Sequence, residues 1–403
     1  MITVEQAWQH VRDCSLQLAS TRTVLSEALG LHLDESVVSE VDSPAFDKSI
    51  FDGYAFQLSD PAPILRVIEQ VEAGRVAKLS IEPGTAIRLM TGAPIPEGAD
   101  AVIKHENVEP IEPASIRLPT TPLRQGAGIL RRGSAFSVGQ TLLETGVRLR
   151  PIDIALLAES GQAEVTAIPR PRVGVLPTGD ELVAGAGPLA ASQIRNSNGP
   201  MLLAALEQLN LPTESLGIGR DDPADLRQRI ERGLTNCDVL LISGGVSAGV
   251  KDLVPGVLDE LGVRQVFHKV RMKPGKPLWF GLCEQEGRRT LVFGLPGNPV
   301  STLVTFELFV KPALRKLAGE SFEGSAALRC VLTESLSHRG GRPTYHPCRI
   351  EFGQRRQGMP SVVPSDWRGS ADLMALARAN ALAILPAGDY QLDANTAVDV
   401  MAL

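Results

Sequence analysis

The sequence predicts an α/β multidomain protein: a helical stalk carrying an inserted β-rich domain, an α/β domain with a mostly parallel sheet, and a small C-terminal β domain. Three observations carry this. From residue 171 short apolar runs (173–176, 238–243, 291–293) alternate with helical patterns (200–209, 223–234, 254–261, 300–317), the order expected of a parallel sheet covered by helices. Between 46 and 136, Pro, Gly and β-branched residues become frequent and short strand-like runs (64–71, 86–90, 101–104) replace helical spacing. After 323 the helical pattern stops, and runs at 330–332, 348–352 and 381–385 read as strands.

The elements follow in order. Val4, Ala7, Trp8 and Val11 recur at helical spacing behind a Thr3/Gln6 capping box. Leu16, Leu18, Val24, Leu25, Ala28 and Leu29 extend that reading, so about the first forty residues are expected to be helical. Residues 152–157 read as a helix that could rejoin them. The expected division is 1–45 with 137–170 for the stalk, 46–136 for the insertion, 171–322 for the α/β domain and 323–403 for the last domain. A chain of 403 residues is too long for one ordinary core.

Composition narrows the function. A net charge of −6 and 4% aromatic content argue against a general nucleic-acid binder, which needs a basic face or stacking platforms. Five scattered cysteines without a CxxC fit reduced thiols rather than a disulfide or zinc framework. No apolar run reaches bilayer length and no signal peptide opens the chain, so a cytoplasmic protein with no membrane association is expected.

The chemistry concentrates in DVLLISGGVSAGVKD (238–252), KVRMKPGKP (269–277) and LPGNP (295–299). A buried strand running into Gly244-Gly245 exposes backbone N–H groups suited to phosphate, with Ser243 and Ser247 supplying hydroxyls. Asp252 follows, a candidate for metal or substrate. Lys269, Lys273 and Lys276 bracket a Pro-Gly and can offset oxyanion charge. Pro296, Gly297 and Asn298 lead into a helix whose amides are expected to face a ligand. Asp180-Glu181 ends another strand, where acids can hold a divalent cation. In Asp221-Asp222-Pro223, Asp222 reads as an N-cap with Pro223 at the first helical position, which leaves Asp221 free. The loops at 178–182, 243–249 and 294–299 all fall at strand carboxyl ends, where ligands of such sheets bind. Asp52-Gly53 and Thr91-Gly92 are weaker signals in the β-rich region. Walker A and G-x-G-x-x-G sequences are absent, and the histidines are isolated.

Eight ordered blocks together resemble the molybdopterin molybdenumtransferase family, which includes MoeA and the E domain of gephyrin. They are SIFDGYAF (49–56), RLMTGAPIPEGADAVI (88–103), PTGDEL (177–182), IRNSNG (194–199), GIGRDDP (217–223), ISGGVSAGVKD (242–252), KVRMKPGKP (269–277) and GLPGNPVS (294–301). The resemblance implies a molybdopterin-binding α/β domain, a C-terminal β-barrel and an elongated homodimer with its site at the subunit interface. It implies that molybdate is inserted into adenylylated molybdopterin with Mg²⁺-dependent hydrolysis and release of AMP, and that other molybdenum-cofactor proteins are partners. By position, Asp52, Glu181, Asp221 and Asp252 match the family's catalytic acids, the last three as metal ligands. Thr91, Lys269 and Lys273 match binding residues, and the Ser243–Ser247 turn would receive the pterin-side phosphate. Three departures stand out. Ser134-Ala135 follows the Arg131-Arg132 pair where many members carry acids, Val250 replaces another acid, and Lys48 replaces a usual asparagine. The alternatives are a molybdopterin-binding or scaffolding paralogue with little turnover, and a nucleotide pyrophosphatase.

Overall fold

The computed structural model describes residues 1–246, 253–285, 287–323 and 327–403. The chain forms two compact units, one of residues 1–20 with 168–403 and the other of residues 21–167.

The larger unit is built on a six-stranded sheet, in spatial order Thr213–Ser215, Val173–Pro177, Val239–Ser243, Arg288–Leu295, Trp279–Gln285 and Arg264–His268. The first four are mutually parallel. Trp279–Gln285 is antiparallel to both of its neighbours, so it alone runs against the rest. Successive side chains leave a strand on opposite faces, and the apolar runs accordingly feed two cores. Val239 and Leu241 join the cluster beneath helix Asn198–Gln208 and the Pro299–Leu317 helical stretch, while Leu240 and Ile242 join the one beneath Pro223–Asn236 and Val254–Glu260. A turn of π-helix, Phe306–Val310, interrupts that long stretch. Trp8 Nε1 donates to the Leu308 carbonyl there at 2.8 Å. The capping box at Thr3 and Gln6 forms as the sequence indicates. Helix Val4–Cys14 buries Val4, Ala7 and Val11 in the α/β core and so belongs to the larger unit. The last segment closes a five-stranded barrel from Ala327–Leu332, Met359–Pro364, Thr344–Arg356, Ala381–Leu385 and Ala397–Ala402.

The smaller unit holds the six-stranded sheet of the β-rich insertion, with Gly53–Phe56 between Ala101–Lys104 and Thr85–Leu89. The expected long helical stalk is corrected here. Past Cys14 the chain is not helical: Thr21–Val24 is a strand paired with residues 164–167, followed by one 3₁₀ turn, Leu25–Glu27. The apparent helical stripe fails because its members do not share an environment. Leu16, Val24 and Leu29 are exposed and Ala28 is buried, while β-branched Thr21, Thr23 and Val24 favour the ladder. Helix Pro151–Glu159 forms as expected.

All five cysteines are free thiols. Burial pushes Cys237 and Cys348 up to about 12, each with a smaller upward push from a neighbour, Glu214 and Cys330 respectively. At pH 8 such a thiol is thiolate to only about one part in 10⁴. Native protein treated with iodoacetamide is therefore expected to keep both unmodified by peptide mass spectrometry and to lose them on unfolding. Rapid native labelling of either would contradict the packing described.

Candidate functional site

The site begins with register. Pro177 pairs with Ser243, and Ser243 with Leu295, so three parallel strands end on one line and release their loops side by side. The loops are then tied together. Thr178 N–H donates to the Ser243 carbonyl (2.9 Å) and Gly244 N–H to the Leu295 carbonyl (3.1 Å). Asn198, at the start of its helix, donates through Nδ2 to both Ser243 Oγ (2.9 Å) and the Gly297 carbonyl (2.8 Å). Gly244 and Gly245 have φ of +95° and +65°. A Cβ at Gly244 would lie 2.6 Å from the Thr178 carbonyl, and one at Gly245 would lie 2.9 Å from Thr178 Oγ1. Only glycine serves at a turn that is both left-handed and this crowded.

These loops open onto a cavity of about 880 Å³, within the range of small-molecule sites. Its described lining carries four cations (Arg195, Lys273, Lys276, Arg342) against two carboxylates (Glu181, Asp221), a balance that favours an anion. Among the described residues, two buried polar atoms of its lining, Thr178 Oγ1 and Asn198 Oδ1, have no hydrogen-bond partner. Both are polar atoms able to meet a ligand bound in this cavity.

The four acids of these loops divide by role. Asp222 caps helix Pro223–Asn236 through Ala224 N–H (3.1 Å) and Asp225 N–H (2.9 Å). Asp180 accepts the Asp221 N–H at 3.2 Å. Glu181 and Asp221 line the cavity. Among the described residues no group of three metal-binding side chains occurs; Asp252 and Ser247 lie outside them. The two carboxylates and the Thr178 hydroxyl line one cavity and are all oxygen donors, the chemistry that suits Mg²⁺, an ion usually held by one or two carboxylates with substrate phosphate completing its shell.

Of the remaining residues singled out from the sequence, Ser243, Gly244, Gly245, Lys273, Lys276, Pro296, Gly297 and Asn298 all line the cavity. Lys269 is not among the lining residues. Its backbone has φ +72°, its N–H donates to Leu278 and its carbonyl accepts from Ile2. At the start of the 299–317 helix one amide is already taken, Val300 N–H donating to the Ser370 carbonyl (3.2 Å). Asp52 and Thr91 belong to the smaller unit and meet each other there. Asp52 Oδ1 accepts from Thr91 N (2.7 Å) and Oγ1 (2.8 Å), and these bonds, the backbone one first, hold the carboxyl below the usual range. In the same unit Asp42 and Asp47 pair with Arg132 and Arg131, beside Ser134-Ala135.

Five lining residues from the C-terminal segment escaped the sequence reading: Arg342, Trp367, Gly369, Ser370 and Ala371. Asn298 Nδ2 donates to Ser370 Oγ at 3.0 Å, and Arg342 Nη1 to the Met272 carbonyl at 3.3 Å. The available signal was polar, glycine-bearing turns between strands, which many surface loops share.

An α/β sheet with a cationic cavity at its strand ends, walled on one side by a C-terminal β segment, is a class of fold suited to a phosphorylated or oxyanionic small molecule. Comparison with known proteins gives the family. "MoeA N-terminal region (domain I and II)" matches residues 2–161, "Probable molybdopterin binding domain" 174–316 and "MoeA C-terminal region (domain IV)" 329–403. Molybdopterin molybdenumtransferase of Staphylococcus aureus is 32% identical over 408 residues, covering 99% of this chain and 95% of that protein. Its Staphylococcus epidermidis counterpart is 31% identical over 407 residues, with the same coverage. The crystal structure of a molybdopterin biosynthesis MoeA protein from Pyrococcus horikosii superposes with TM-score 0.81 at 30% identity, covering 100% of this chain and 99% of that one. The chain belongs to the MoeA family.

Asn198→Leu removes the amide that ties two loops and leaves Ser243 Oγ and the Gly297 carbonyl without their donor. The expected cost is about 1–3 kcal/mol, read from chemical denaturation, together with weaker molybdate binding. A variant as stable as the parent would show that the tie is dispensable.

Proposed function

We propose that the chain inserts molybdenum from molybdate into molybdopterin presented as its adenylylated form, with Mg²⁺-dependent cleavage of the phosphoanhydride and release of AMP. The single observation that supports this most is the composition of one cavity, in which Lys273, Lys276 and Arg342 line the same space as Glu181 and Asp221. Cationic donors offset the oxygens of molybdate and phosphate. Thr178 Oγ1 can donate to a phosphate oxygen, and Asn198 Oδ1 can accept from an N–H or O–H of the pterin. Water attacks one phosphorus of the anhydride, the bridging P–O bond breaks, and its electron pair leaves with the departing phosphate. The carboxylates of Glu181 and Asp221, with Asp252, would hold Mg²⁺, which supplies charge neutralisation at the phosphates, and would orient that water. A homodimer and a cytoplasmic location complete the proposal.

The cavity separates two lysines that the sequence treats alike. Lys273→Ala is expected to weaken molybdate binding by about tenfold or more, because it removes a charge-assisted donor. Lys269→Ala should stay near the parent. Isothermal titration with molybdate checks both; equal losses, or none, would show that the cavity described is not the oxyanion site.

A further inference from the structure

Trp367 is the one aromatic side chain among the described lining residues of the cavity. Its ring is fixed by two contacts. Its Nε1–H donates to the Gly369 carbonyl at 2.5 Å. The His346 ring meets it edge to face, with centroids 5.4 Å apart and planes at 88°. His346 is itself anchored by a hydrogen bond between its Nε2 and the Ser365 carbonyl at 3.0 Å. Over this fixed indole sits Lys273 Nζ, 5.7 Å from the ring centroid, inside the range in which a ring quadrupole attracts an ammonium. The lysine backbone is fastened to the same β segment: Lys273 N–H donates to the Pro343 carbonyl and its carbonyl accepts from Tyr345 N–H, both at 2.8 Å. By contrast Lys276, three residues on, has no such ring contact among the described residues.

A lysine side chain has about 2 kcal/mol of rotamer entropy to lose when it is held in one place. A rigid aromatic face lowers that cost beforehand by restricting where the ammonium rests. The indole cannot donate to an oxyanion through its Nε1–H, because that proton is already committed to Gly369.

We propose that Trp367 is a positioning residue, whose indole face holds the Lys273 ammonium at the cavity in readiness for an oxyanion. The inference rests on the reading of this cavity as the molybdate site. It concerns how one cation is presented, and it has a readout that needs no substrate.

The test uses the full-length protein with Trp367→Phe, Trp367→Leu and Lys273→Met. Site-resolved labelling by an amine-reactive ester, read by peptide mass spectrometry, compares Lys273 with Lys276 in the absence of ligand. Trp367→Leu is expected to raise the Lys273 labelling rate about threefold to tenfold and leave Lys276 unchanged, while Trp367→Phe, which keeps a π face, stays near the parent. Molybdate titration should show Trp367→Leu weakened by a similar factor. Adding Trp367→Leu to Lys273→Met should then cost nothing beyond the Lys273→Met loss. Unchanged Lys273 labelling in Trp367→Leu would overturn the proposal. So would a Trp367→Phe variant as impaired as Trp367→Leu, or a Trp367→Leu effect that persists without the lysine, since each marks a packing role only. If labelling behaves as expected but the parent does not bind molybdate, the positioning role stands and the functional reading fails. Should Trp367→Leu not fold, labelling of Trp367→Phe against Trp367→Met decides the point: parent-like protection of Lys273 in Trp367→Phe and loss in Trp367→Met, which keeps bulk without a π face, supports it, and the reverse overturns it.

Discussion

The side-chain amide of Asn198 is the interaction on which the site depends. The sheet brings Pro177, Ser243 and Leu295 to one line, but register alone fixes only where the loops begin. The two bonds from Asn198 Nδ2 fix the Gly-Gly turn against the Pro296–Asn298 loop. Buried side-chain networks of this kind are costly when half satisfied and rigid when complete. This one is complete on the donor side and, among the described residues, leaves Asn198 Oδ1 unpartnered, so the group that holds the loops together also offers an acceptor.

A second join brings the C-terminal segment to the sheet. Lys273 is bonded through its backbone to residues 343 and 345, and Ser370 bonds to both Asn298 and Val300. The cavity wall is therefore shared by stretches far apart in sequence. This explains how a helix start that looks like an anion site is already occupied in part by the protein's own carbonyl. The ligand's charge is then met mainly by side chains, Lys273, Lys276 and Arg342.

Local rules made much of this legible. Asp222-Pro223 read as a cap and first helical residue, and that left Asp221 over for the cavity, where it lies. The Thr3/Gln6 box and the three loops at one sheet edge were equally plain, because they depend on neighbours in sequence. What could not be read was non-local. The strand at Thr21–Val24 exists because residues 164–167 pair with it, and no spacing rule sees that partner. Arg342 and Trp367 reach the site through barrel strands and their turns. Lys269 and Lys273 look equivalent in KVRMKPGKP, yet a left-handed backbone and hydrogen bonds to Leu278 and Ile2 take Lys269 elsewhere. The missing acids at Ser134-Ala135 also look different in three dimensions. Asp42 and Asp47 engage the adjacent arginines, and backbone N–H bonds from Val138 and Arg132 respectively lead in holding their carboxyls below the usual range.

The central claim is that one cavity couples cleavage of a phosphoanhydride to the handling of molybdate. The most direct measurement is AMP release from adenylylated molybdopterin by the purified full-length protein, followed with and without molybdate across a Mg²⁺ titration, with molybdenum in the product assayed in parallel. The account predicts Mg²⁺-dependent AMP release that rises with molybdate and matches the molybdenum found on the pterin. AMP release indifferent to molybdate, with no molybdenum in the product, would contradict it and point to a pyrophosphatase. No AMP release under any condition would leave a binding protein in place of the enzyme described.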